Sequence, residues 1–192
     1  MNYQDYIWDL GGTLLDNYET STAAFVHTLQ DFGLTGSHDE VYKALKVSTD
    51  YAVRQFAPGN KEFLKSYKAN EAKELEHPIL FDGASGLLAQ IIQQGGRNFL
   101  ISHRDDQVLE ILQKTQISAY FTEVVTATNG FKRKPDPESM LYLKDKYQIE
   151  SGLVIGDRPI DIEAGQAAGF SCYLFDNMRN LEEFVDIELE KE

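Results

Sequence analysis

The chain has 192 residues, 42% hydrophobic and 26% charged, which fits one soluble domain or a core with a modest insertion and excludes disorder, collagen or a coiled coil for the whole. Asp plus Glu number 31 against 18 Lys plus Arg, and the net charge of −13 repels phosphate backbones and anionic membranes, so no nucleic-acid or membrane partner is expected. Cys172 is the only cysteine, no apolar run nears the ~20 residues of a membrane span, and MNYQDYIWDLGG lacks a basic-then-apolar leader, so a cytoplasmic protein is expected.

Tyr6-Ile7-Trp8 reads as a short strand that ends at Asp9. After Asp16 the pattern turns helical. Thr20–Phe32 carries Ala23, Phe25, Val26, Leu29 and Phe32 on one stripe. Ser37 and Glu40 form a capping-box pattern ahead of Val41, Leu45 and Val47. Tyr51–Phe56 and Glu62–Leu75 read as two further helices, broken at Pro58-Gly59. Pro78 and Gly83 mark the return from this all-helical insertion.

From there, short apolar runs alternate with helical patterns. The runs are Asn98–Ile101, Glu123–Thr126, Leu153–Ile155 and Cys172–Phe175, each with the look of a buried parallel strand. The helices are Ala84–Gln94, Asp106–Lys114, Pro137–Tyr147 and Asp161–Ala168. This rhythm predicts an α/β fold, a parallel sheet with helices on both faces. The boundaries expected are a core of 1–16 and 82–192 and a helical domain of 17–81, with hinges at Asp16-Asn17 and Phe81–Gly83. The acidic stretch Glu182–Glu192 reads as a solubilising tail.

In an open α/β sheet, ligands bind beyond the carboxyl ends of the strands. Four such ends carry notable polar residues: Asp9-Leu10-Gly11-Gly12-Thr13, Ser102-His103-Arg104, Lys132-Arg133-Lys134 and Gly156-Asp157-Arg158-Pro159-Ile160-Asp161. Singly, each has a plain reading: a turn, a cap, surface lysines, an N-cap at Asp161. Together and in this order they resemble the haloacid dehalogenase superfamily of aspartate-nucleophile hydrolases. The resemblance runs through DLGGTLLD at 9–16, ISH at 101–103, KPDPE at 134–138 and GDRPIDIEAG at 156–165.

That resemblance implies a Rossmann-like core with an inserted helical cap of the phosphoglycolate phosphatase and β-phosphoglucomutase type. It implies Asp9 as nucleophile, forming an aspartyl-phosphate, with Ser102 and Lys134 as its catalytic partners on the phosphoryl oxygens. Thr13 and His103 join Ser102 and Lys134 as substrate-binding groups. Mg²⁺ would be held by Asp9, the Gly11 carbonyl, Asp157 and Asp161. The partner expected is a small phosphorylated metabolite; oligomeric state is not legible. The chemistry agrees, because a carboxylate attacks a phosphate monoester only where its charge is neutralised.

One position departs from the family pattern. Most phosphatases of this family carry a second aspartate two residues after the nucleophile, as general acid and base. Here that position is Gly11. Three readings follow: a phosphatase whose acid lies elsewhere, with His103 the nearest candidate, or whose substrate has a good leaving group; a phosphonatase using a cap lysine such as Lys43 or Lys46; or a phospholigand-binding protein with impaired catalysis.

Overall fold

The computed structural model describes residues 3–74 and 76–185. Leu75 and the end of the acidic tail, 186–192, lie outside the described residues. In chain order the elements are β1 (Asp5–Trp8), α1 (Asn17–Asp31), α2 (His38–Val47), α3 (Thr49–Phe56), α4 (Phe63–Glu74), α5 (Ala84–Gln93) and β2 (Arg97–Ile101). Then come α6 (Gln107–Lys114), β3 (Phe121–Val125), α7 (Glu138–Tyr147), β4 (Gly152–Gly156), α8 (Pro159–Ala167), β5 (Ser171–Leu174) and α9 (Met178–Val185). They form two compact units, one of residues 1–15 with 80–192 and one of residues 16–79.

The larger unit is a Rossmann-like α/β core. Among the described residues its sheet has five parallel strands in the order β3-β2-β1-β4-β5. Alternation along each strand divides the apolar side chains between two faces. Tyr6, Trp8, Leu100, Leu153 and Ile155 join Leu87, Leu88, Val108 and Leu181 on one face. Ile7, Phe99, Ile101 and Val154 join Met140, Leu143 and Ala164 on the other. Two polar side chains pin the buried centre. The Trp8 indole N–H donates to Asn98 Oδ1 at 2.9 Å, and Asn98 Nδ2 donates to the Leu88 carbonyl at 3.1 Å.

Three details differ from the sequence reading. The outer strands β3 and β5 are only partly covered, with Leu174 55% exposed, because each pairs along one edge only. The stretch read as a tail from Glu182 starts inside α9, whose last turn it supplies and which buries Met178, Leu181 and Val185 against the core. Leu80 and Phe81, expected at the end of the helical domain, lie in the core unit, where Phe81 packs on Phe175 with ring centroids 5.4 Å apart. No helix among the described residues is long and apolar enough to cross a membrane.

The smaller unit has its own core, in which the Phe25 ring meets Phe63 at 4.9 Å and Tyr67 at 5.0 Å. Ala23 is exposed, and the buried stripe of α1 runs through Ala24, Phe25 and Leu29. Asp16 caps α1 by accepting the Glu19 N–H at 3.0 Å, and the Ser37–Glu40 capping box starts α2.

Candidate functional site

The parallel topology brings the carboxyl ends of β1, β2 and β4 side by side. The ladder runs one step past the strands: the Asp9 N–H donates to the Ile155 carbonyl and the Ser102 N–H to the Val125 carbonyl, both at 2.9 Å. Asp9 and Ser102 are therefore held by the sheet itself, each 6% exposed.

Lys134 comes from the loop between β3 and α7 and is 5% exposed. Its Nζ donates to Asp9 Oδ1 at 2.5 Å and pairs with Asp161 Oδ1. Asp161 is fully buried on the first turn of α8. It is not the N-cap. Its Oδ2 accepts the Arg158 N–H at 3.1 Å from three residues along, while Pro159 opens the helix. This frees Oδ1 for Lys134. Gly156 makes room, since a Cβ there would lie 2.5 Å from Asp161 Cγ.

Asp9, Asp157 and Asp161 each offer a carboxylate oxygen within 4.8 Å of the others. Burial raises the Asp9 pKa above the usual carboxylate range, against the pull of Lys134. Asp157 is pushed up to about 6, first by burial and then by the charges of Asp9 and Asp161. Its Oδ1 is buried with no hydrogen-bond partner. Among the described residues the Lys134 ammonium pairs with Asp9 and Asp161 only, which leaves Asp157 without a cation partner of its own and the cluster short of positive charge. Hard oxygen donors with an unpartnered buried atom fit a divalent cation such as Mg²⁺.

The turn after Asp9 is shaped by glycine. Gly12 has φ 85°, and a Cβ on it would lie 2.7 Å from Asp157 Cγ. Gly11 pairs in a parallel bridge with Leu15. Thr13 is fully buried and its hydroxyl has no partner, so it sits inside the turn and away from solvent.

His103 does not fit the role of a relocated acid. Its Nε2 accepts the Lys134 backbone N–H at 2.8 Å. Its pKa falls to about 4, through burial and the nearby charges of Lys134, Arg133 and Arg158. At neutral pH the ring is neutral and the proton sits on Nδ1. Lys43 and Lys46 belong to the smaller unit and are exposed. Lys46 lies 5.1 Å from the Tyr42 ring centroid, and neither lysine occupies the desolvated pocket that activates an amine nucleophile. The sequence reading passed over Arg158, the cation between the two aspartates of the last motif, whose charge acts on Asp9, Asp157 and His103.

A model of haloacid dehalogenase-like hydrolases matches residues 6–175. The chain belongs to that family. A hydrolase of solved structure from Streptococcus pneumoniae TIGR4 is 70% identical, with a TM-score of 0.94, and the match covers 97% of this chain and 100% of that one. A phosphoglycolate phosphatase of Aliivibrio fischeri is 28% identical over 189 residues, 88% of this chain and 81% of the relative. A pyrophosphatase of Oceanobacillus iheyensis is 26% identical over 179 residues, again 88% and 81%.

Proposed function

We propose that this haloacid dehalogenase-like hydrolase is a Mg²⁺-dependent phosphatase acting in the cytoplasm on a small phosphorylated metabolite. The observation that carries the reading is the meeting of Asp9, Asp157, Asp161 and Lys134 beyond the carboxyl ends of the central strands β1 and β4. Such a cluster is costly unless it handles charge. Relatives named for phosphoglycolate and pyrophosphate hydrolysis support the phosphate class.

On this reading Asp9 is the nucleophile. Its carboxylate attacks phosphorus, the bond to the leaving oxygen breaks, and an aspartyl-phosphate forms. Water then attacks phosphorus and releases phosphate, restoring Asp9. Lys134 sits between Asp9 and Asp161 and binds phosphoryl oxygens, as does the Ser102 hydroxyl. Asp9, Asp157, Asp161 and the Gly11 carbonyl would hold Mg²⁺, which when bound supplies the positive charge that lets two anions meet. Asp161 keeps Lys134 aimed at Asp9.

Gly11 has no proton to give, and His103 is engaged at Nε2. The departing oxygen must carry its own charge. The substrate class that fits is therefore a phosphate with a good leaving group: an acyl phosphate, an aryl phosphate or a pyrophosphate. The test is turnover of a panel of phosphorylated metabolites with Mg²⁺ and with excess chelator. Metal-dependent turnover, fastest on the good leaving groups, is expected. Binding of phosphorylated ligands without turnover of any would replace the enzyme by a phospholigand-binding protein.

A further inference from the structure

Lys134 is asked to hold its ammonium against two buried carboxylates, yet its backbone belongs to neither a strand nor a helix. The connection from Thr126 to Pro137 has only a short 3-10 turn at Ala127–Asn129 and a left-handed Gly130. Its start is held by the Thr126 N–H donating to Asn129 Oδ1, the Thr126 hydroxyl to Asp106 Oδ1 and the Ala127 N–H to the Arg104 carbonyl, each at 2.8 Å, and its far part by the Lys132 N–H donating to Glu138 Oε2 at 2.8 Å. At Lys134 itself the main-chain donor goes to a side chain 31 residues earlier, His103 Nε2, at 2.8 Å.

The structure assigns His103 a role as a positioning residue that fixes the Lys134 backbone so that its ammonium reaches Asp9 and Asp161. This inference builds on the proposed function but is readable without it. Three observations support it. His103 follows Ser102, whose N–H is held by the Val125 carbonyl at 2.9 Å, so the imidazole is mounted on the sheet. The acceptor nitrogen needs the Nδ1-H tautomer, and burial of the ring together with the nearby cations Lys134, Arg133 and Arg158 disfavours a second proton that would destroy the acceptor. The ring is also a wall of a cavity of about 220 Å³, shared with Val125 and Phe131, so an acceptor of different shape can be accommodated.

The role separates an acceptor from an acid. His103→Gln places an amide oxygen within reach of the Lys134 N–H, whereas His103→Leu keeps bulk and removes the acceptor. We expect His103→Leu to lower kcat on an aryl phosphate roughly tenfold, since one backbone hydrogen bond is lost. The melting temperature should stay within a few degrees and His103→Gln should restore most of the rate. Equal loss in Gln and Leu, or a loss that grows with leaving-group pKa, would make His103 a proton donor and overturn the assignment. Nitrogen-15 NMR of the labelled protein reads the same point without any turnover. A protonated Nδ1, a bare Nε2 and a scalar coupling from Nε2 to the Lys134 amide are expected. A protonated Nε2 would refute the clamp even if the enzyme proved an active phosphatase. If no phosphatase activity is found, this coupling still decides the assignment.

Discussion

Gly12→Ala is the perturbation that best separates the fold from the site. Gly12 has φ 85°, a region that costs an L-residue roughly 1–2 kcal/mol. The added Cβ would also lie 2.7 Å from Asp157 Cγ and nearer still to Oδ2. That second contact is with the end of a side chain, so it is relieved by turning the Asp157 carboxylate aside. The cost then appears in metal binding. A misplaced ligand should weaken Mg²⁺ by at least ~10–100-fold, the loss typical of even outer-shell changes. The melting temperature should fall by only about 2–8 °C, from the backbone strain. Gly130→Ala is the matched control, with φ 79° and nothing within 4 Å of its Cβ. It should lose similar stability and keep its Mg²⁺ dependence. The assay is activity against Mg²⁺ concentration beside a thermal melt for each variant. A Gly12→Ala protein with the wild-type Mg²⁺ requirement would refute the placement of Asp157 among the ligands.

Without metal, stability should depend on pH through Asp157. Its folded pKa of about 6 exceeds its unfolded value near 3.8, so the folded state holds the proton more tightly. This contribution is fully present below pH 3.8 and is lost as pH rises through 6. Melts in chelator should therefore fall across that window, and the rise on adding Mg²⁺ should be largest above it; a Mg²⁺ effect independent of pH would contradict this. In a series of aryl phosphates the wild-type rate should drop with leaving-group pKa, and Gly11→Asp should flatten that slope. Its gain on alkyl phosphates is bounded by the ~10²–10⁴-fold of general acid catalysis. The motif's positive φ falls at Gly12, so a Gly11→Asp protein with no gain on any ester would count against the missing-acid explanation. Leu181→Ala should cost about 2–5 kcal/mol in a denaturant melt, because Leu181 is fully buried; a loss near zero would detach α9 from the core.

Short apolar runs bounded by polar residues place β1, β2 and β4, whose buried centres leave little else possible. The partial cover of β3 and β5 follows from strand order, which is a matter of pairing between distant segments and leaves no local mark. The α9 stripe of Met178, Leu181 and Val185 was hidden by Glu182 and Glu183 among its residues, which read as tail. At α8 the start signal is Pro159 at the first helical position, which places Asp161 at the third rather than at the N-cap. Asp9, Ser102, Lys134 and Asp157 are legible only as an ordered set of motifs at strand ends. The bond from the Lys134 amide to His103 has no such signature, since it depends on a loop path and a tautomer.

The central claim is that Asp9 is the nucleophile of a phosphatase. Asp9→Asn tests it most directly, since the amide keeps the shape and loses the attacking oxygen. Turnover of an aryl phosphate in saturating Mg²⁺ should fall below detection while the melting temperature is held or rises, a buried charge having been removed. Turnover near the wild-type rate from a well-folded Asp9→Asn protein would contradict the account.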